Sequence, residues 1–425
     1  MIKTYISLFK NKEIRNKILF TLAMLLIYRL GAGIPAPRID AVKLLASASS
    51  NSIVNMMNLL GGGSLSSFSI FALGVGPYIT ASIIIQLLSM DVIPSLSELA
   101  KSGQQGRLQL DKITRYLAVV MAFVQAFTMI YAYDMSYGIV VNSGVASYLY
   151  IATILTAGTM FLCWLGDRIS MHGIGNGTSM IIFTGIVAQL PFQFRRIFVD
   201  LTESSVVGGV LVFVLYLLAY LLLIIGVIFM SQAERRIPIQ YSNSGVSRGR
   251  NDMTFLPLKI NSASVMPVIF AQAIITGPAT IMSFFPSNAF TKAFTTVFDT
   301  SKWWGLIIYA ILIILFTFFY TDLEVDPEKI SENLSKNGSY VPGVRPGADT
   351  KNYISKILKR ITCIGAVSLM AIALLPYLLV MCTPLPSSVS LGGTGIIIVV
   401  GVALETMKDL EGQLTQRSYK GFSGR

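Results

Sequence analysis

Ten apolar runs, parted by short polar stretches, constrain this chain more than any other feature, because they have to be placed in a lipid bilayer. A hydrocarbon core of about 30 Å is crossed by about 20 apolar residues in helical form. The runs lie near Ile18–Pro35, Phe68–Met90, Tyr116–Tyr133, Ser147–Gly166, Asn176–Phe192, Val206–Met230, Leu258–Phe285, Trp303–Tyr320, Ile357–Val380 and Leu391–Met407. Only 13% of the residues are charged, against about 25% in soluble domains. The runs are continuous rather than alternating, which excludes a β-barrel. The fold class expected is an all-α polytopic membrane protein.

The basic residues orient it. With a cytoplasmic amino terminus and alternating spans, 26 of the 33 Lys and Arg side chains fall on inside segments. Six fall outside: Arg38, Lys43, Arg195, Arg196, Lys292 and Lys302. Arg29 lies within the first span, near its outer end, where it can snorkel; at mid-span it would cost roughly 2.5–3.5 kcal/mol. Such a bias predicts both termini inside. The first apolar run is long and others follow it, so it is expected to stay in the protein.

Two inside segments stand out, Ala233–Ile260 and Thr321–Thr362. Both are basic, amphipathic and punctuated by Gly and Pro, as a docking surface on one face would require. The net charge of +12 has two readings. One is topology plus contact with anionic lipids. The other adds an anionic partner, such as ribosomal RNA or an acidic protein face.

The spans divide five and five about residue 203, giving halves 1–203 and 204–425, a division that often accompanies inverted repeats. The boundary Gln189–Ser205 is short and carries Pro191, Arg195 and Arg196. Asn51–Ser67 is half apolar, stops at Gly61-Gly62-Gly63 and is too short to cross. It reads as a half-inserted helix beside a watery cavity, or as a surface loop with an interfacial helix.

Catalytic chemistry is missing from the sequence. His172 is the sole histidine, and no HExxH, Walker A, GxSxG or paired intramembrane carboxylate occurs. Gly173-Ile174-Gly175-Asn176-Gly177 imitates a dinucleotide fingerprint, but Thr178 follows and no strand precedes it. Cys163, Cys363 and Cys382 lack metal-ligand spacing and read as small hydrophobes. No enzyme, cofactor or metal is expected. Ion-coupled carriers usually bury ionisable groups in their spans, and Arg29 is the charge this reading places inside one. A conduit with uncharged walls suits a chemically diverse cargo.

The run Phe68-Ser-Ile-Phe-Ala-Leu-Gly-Val-Gly-Pro-Tyr-Ile-Thr-Ala-Ser-Ile-Ile-Ile-Gln-Leu-Leu88 resembles the second span of the SecY family, the pore subunits of the bacterial protein translocon. The resemblance continues in order through Gly106-Arg107, Thr114-Arg115-Tyr116, Gly173–Gly177, Arg235-Arg-Ile-Pro238, Leu256-Pro-Leu-Lys-Ile-Asn261, Pro267–Ala271, Pro342-Gly-Val-Arg-Pro-Gly347 and Leu391-Gly-Gly-Thr394. It implies ten helices in two pseudo-symmetric halves around a central pore. It implies a channel that moves unfolded preproteins across the bacterial cytoplasmic membrane and lets signal peptides leave for lipid through a lateral gate. The implied partners are small membrane subunits of the SecE and SecG type, the SecA ATPase and the ribosome.

The resemblance also assigns residues. Asn51, Ile53, Met56, Leu60 and Gly62 belong to a plug, residues 51–67. Val75, Ile79, Thr178, Ile182, Ile269 and Ile398 form the pore ring. Independently, Val75 and Ile79, and likewise Thr178 and Ile182, are four apart and share a helix face. A ring of branched apolar side chains gates by dewetting. Thr178 departs from the family's usual aliphatic residue, and its hydroxyl faces the constriction unless it bonds back to its own helix. Spans two and seven form the lateral gate, with Thr80, Ser82, Gln86, Gln125 and Gln272 as weak polar contacts; Gln86 could instead meet lipid headgroups. Arg235, Arg236 and Arg345 belong to the docking loops, residues 231–257 and 321–356. The rivals are a solute carrier, an insertase without a pore, and an accessory paralogue of the same channel for a restricted set of substrates.

Overall fold

A computed structural model describes residues 12–40, 68–90, 93–141, 144–202, 206–241, 254–283, 296–300, 302–382 and 388–420. Each apolar run carries a helix. They are α1 (Lys12–Ala32), α2 (Gly76–Ser89), α4 (Gln104–Tyr137), α5 (Val145–His172), α6 (Gly177–Thr202), α7 (Val206–Gln232), α8 (Met266–Ser283), α9 (Trp303–Glu324), α11 (Ala348–Cys382) and α12 (Ser388–Lys420). Two short helices lie between them, α3 (Pro94–Lys101) and α10 (Pro327–Lys336). Among the described residues six helices are long and apolar enough to cross a membrane, and the bent pair α2–α3 would make a seventh. The chain is an all-α polytopic membrane protein.

Local chemistry sets the helix ends. Pro77 sits in the first turn of α2, where its missing N–H costs nothing. Gly138 ends α4 in the left-handed region, φ 59°. Just before it, Asp134 accepts hydrogen bonds from the Val140 N–H at 2.9 Å and the Tyr148 hydroxyl at 2.5 Å, fixing the turn into α5. Asp326 caps α10 by accepting from the N–H groups of Glu328 and Lys329. Burial alone would raise its pKa. The hydrogen bond from Lys329 and the two backbone donors outweigh burial and hold it below the ordinary value.

Two expectations are corrected. The fifth span does not stop at Phe192, since α6 runs through Pro191 to Thr202 and the expected boundary Gln189–Ser205 is mostly helix. The seventh span does not begin at Leu258, because Leu258 and Lys259 end a strand and helix starts at Met266. The loop segments also contain β-structure. Strands β1 (Glu234–Tyr241), β2 (Thr254–Lys259) and β3 (Ser339–Tyr340) form an antiparallel sheet in the order β2-β1-β3. In addition, α4, α11 and α12 extend well past their apolar runs.

One large apolar cluster ties α1, α2, α5, α6, α7, α8, α9, α11 and α12 together. A second, with Phe68, Met129, Ile130, Ile151 and Leu155, packs the far end of α4 and α5. Helices α5 and α6 approach through glycine: a Cβ on Gly177 would lie 1.9 Å from the Gly166 carbonyl oxygen.

Candidate functional site

The predicted ring residues come from four helices. Val75 caps the start of α2 and Ile79 lies one turn in. Thr178 and Ile182 sit in the first turns of α6, Ile269 in the first turn of α8, and Ile398 within α12. Val75, Ile182, Ile269 and Ile398 are buried in the large apolar cluster, and Ile79 packs against it half-buried. Five of the six therefore share one cluster although up to 323 positions separate them in sequence. The side chains present only branched hydrocarbon, which neither hydrates well nor grips a polar chain.

Thr178 is half-buried beside them. Its N–H donates to Asn176 Oδ1 at 3.1 Å, and Ser179 N–H shares that acceptor at 3.3 Å, so Asn176 caps α6. Thr80, Thr156 and Thr184 return their hydroxyls to the carbonyl four residues back. Among the described residues the Thr178 hydroxyl makes no such bond, and residue 174, four back, precedes the helix.

Helices α2 and α8 pack directly on each other. The predicted gate residues Thr80, Ser82 and Gln86 lie on α2, Gln272 on α8 and Gln125 on α4. Gln272 is 4% exposed on α8, whereas Gln125 is half-buried on α4. Gln86 Nε2 donates to Ser82 Oγ on its own helix at 3.3 Å, and the Gln86 side-chain Oε1 is buried with no hydrogen-bond partner among the described residues. Thr80 spends its hydroxyl on the Gly76 carbonyl. The plug positions Asn51, Ile53, Met56, Leu60 and Gly62 lie outside the described residues.

The two inside segments fold into one body, which the sequence did not suggest. The buried face of the sheet, Ile237 and Leu258, packs with Val341, Ile354 and Ile361 in a separate small core, flanked by Ile330 and Leu334 of α10. The opposite face, Arg236, Pro238 and Phe255, is exposed. The repeat of Ile354, Leu358 and Ile361 at helical spacing is the signal that could have extended α11 into this body. Val341-Pro342-Gly343-Val344 makes a type II turn: Gly343 takes φ 82°, and Val344 N–H donates to Val341 O at 3.1 Å. Arg345 follows it, exposed. Its carbonyl accepts from Thr350 Oγ1 at 2.8 Å, and Ser331 Oγ donates to Gly347 O at 2.8 Å, so the loop is tied on both sides. Arg235 is exposed, and Arg236 pairs with Glu234 at 2.9 Å.

Glu405, an ionisable residue that the sequence reading left aside, is exposed on α12, within electrostatic reach of Asp409, Lys259 and Glu324.

A sequence profile of the SecY family matches residues 69–407. Protein translocase subunit SecY of Staphylococcus aureus is 46% identical over 436 residues, covering all of both chains. Among solved structures, a SecY protein described for its plug domain superposes with TM-score 0.67 at 17% identity, covering 93% of this chain and 91% of that one. The yeast Ssh1 complex, solved on the 80S ribosome, superposes with TM-score 0.66 at 15% identity, covering 93% and 89%. The profile match and the end-to-end identity show that the chain belongs to the SecY family.

Proposed function

We propose that the chain is the pore subunit of a protein translocase, carrying unfolded preproteins through its waist and releasing signal peptides sideways between α2 and α8. The observation that carries this reading is the gathering of Val75, Ile79, Ile182, Ile269 and Ile398, from four helices, into one apolar cluster. The end-to-end identity to a protein translocase subunit supports it. The chain would act as a channel and not as an enzyme. The push would come from a translating ribosome or a SecA-type ATPase at the docking body, where Arg235, Arg236 and Arg345 are exposed. The structural neighbour solved on a ribosome supports the ribosome as a partner. Small subunits of the SecE and SecG type would complete the complex. Both termini would be cytoplasmic, on the side favoured by the basic residues. The plug role of residues 51–67 and the two-half division at 203 belong to the same proposal. An accessory paralogue is disfavoured by the retained Arg345 and the long inside segments.

Depletion of the chain in its host is the direct test. Secreted precursors with uncleaved signal sequences should accumulate as the chain disappears; normal processing throughout would overturn the proposal.

The Thr178 hydroxyl makes a second prediction. A neutral hydroxyl with no hydrogen bond among the described residues is worth about 1 kcal/mol to passing water. Thr178→Ile should therefore lower resting ion conductance about fivefold in planar bilayers. Unchanged conductance would remove Thr178 from the ring.

A further inference from the structure

The loop 173–176 between α5 and α6 is the sequence motif that the channel reading leaves without a task. It is built as a joint. Ile174 is 4% exposed, and its N–H donates to Thr21 Oγ1 of α1 at 3.2 Å. Its side chain lies in a small apolar cluster with Ile14 and Ile18 of α1 and Met407 and Leu410 of α12. Gly175 takes φ 67°, and its missing Cβ leaves room for Thr406 of α12, whose Oγ1 would lie 3.2 Å away. The same Thr406 hydroxyl is 3.6 Å from Met180 Sδ on α6. Lys17 Nζ of α1 donates to Gln413 Oε1 of α12 at 2.9 Å. The first helix, the last helix and the loop that launches α6 are thus interlocked, across 396 residues of sequence.

We infer that Ile174 is a positioning residue for the channel. It wedges between α1 and α12 and so fixes how Thr178 and Ile182, just beyond it on α6, stand against Ile398 on α12. The joint stays closed during transport and serves as the pivot when α2 and α8 part. This rests on the proposed function, which places the opening at the α2/α8 seam. The contrast between the two contacts supplies the reason. The joint combines interlocked aliphatic side chains with a buried hydrogen bond to a backbone N–H. Helix α2, on one side of the seam, holds a buried Gln86 Oε1 with no hydrogen-bond partner among the described residues. A load that separates the helices would be released where polar groups are poorly satisfied, and resisted where packing is dense.

Tethering tests it in the whole complex with its small subunits, with Cys163, Cys363 and Cys382 changed to Ser. In one variant Lys17→Cys and Gln413→Cys are joined by a short bismaleimide. In a second, Gln86→Cys and Gln272→Cys are joined in the same way. The joint tether should leave the export rate within about twofold of the untethered variant, while the seam tether should block export. A joint tether that blocks export as fully as the seam tether would overturn the pivot. A seam tether without effect would overturn the gate reading on which the pivot rests, and is distinguished by which tether fails. Ile174→Ala should raise resting ion conductance severalfold and pass preproteins with defective signal sequences, and Ile174→Leu should restore both. Unaltered conductance and signal selectivity in Ile174→Ala would overturn the positioning role.

Discussion

Arg345→Glu is expected to abolish ATP-driven export in reconstituted vesicles while leaving the protein folded. The backbone around Arg345 is held by the type II turn at 341–344, by Thr350 and by Ser331, and none of these contacts uses the Arg345 side chain. Its guanidinium makes no ion pair among the described residues and is exposed. Surface substitutions of this kind usually change stability by less than about 0.5 kcal/mol. A rigid loop that presents a free guanidinium suits a bidentate contact to a partner's carboxylate or phosphate. Removing one partner of such a desolvated pair costs about 2–5 kcal/mol, and each 1.4 kcal/mol is about tenfold. The initial export rate should therefore fall by at least about thirtyfold, with an unchanged thermal midpoint. Normal export would end the assignment of Arg345 to motor docking.

Gly177→Val should have the largest effect on the fold. The nearest atoms to a Cβ at 177 are the Gly166 carbonyl oxygen at 1.9 Å, its carbon at 2.7 Å and its Cα at 2.9 Å. All three are backbone, so no rotamer change relieves the clash, and α5 must separate from α6. Overpacking of this sort costs typically 1–3 kcal/mol and occasionally more. The displacement would move Thr178 and Ile182 with the start of α6. A thermal midpoint lower by about 1–3 °C is expected in detergent, together with a leaky resting channel. Gly226→Val on α7, where a Cβ would meet nothing within 4 Å, provides the control. Equal midpoints for the two variants would show that the α5–α6 approach is not tight.

Much of the membrane architecture was legible in the letters, because a run of apolar residues in a bilayer has few alternatives to a helix. The helices that carry the proposed ring residues were equally legible. Val75 with Ile79, and Thr178 with Ile182, mark faces by spacing, and the family resemblance supplied their partners on α8 and α12. The docking body was not legible. Its strands carry Pro238 and Pro257, which weaken a strand signal. Its core joins Ile237 and Leu258 to Val341 and Ile354, pairings about a hundred residues apart that no local pattern announces. The boundary near Pro191 misled for a related reason: a proline reads as a stop, yet in α6 it is carried within the helix. The joint at Ile174 hid behind an apparent nucleotide motif, since glycines that permit close helix approach and glycines that cradle phosphate look alike in sequence.

The central claim is that a polypeptide passes through a waist lined by six branched side chains. Photo-cross-linkers placed singly at Val75, Ile79, Thr178, Ile182, Ile269 and Ile398, in a complex holding a preprotein stalled by a folded tail, measure this most directly. The account predicts adducts to the preprotein from these positions and none from Leu215 or Leu222, which are exposed on α7. Silence at all six, with adducts elsewhere, would contradict it.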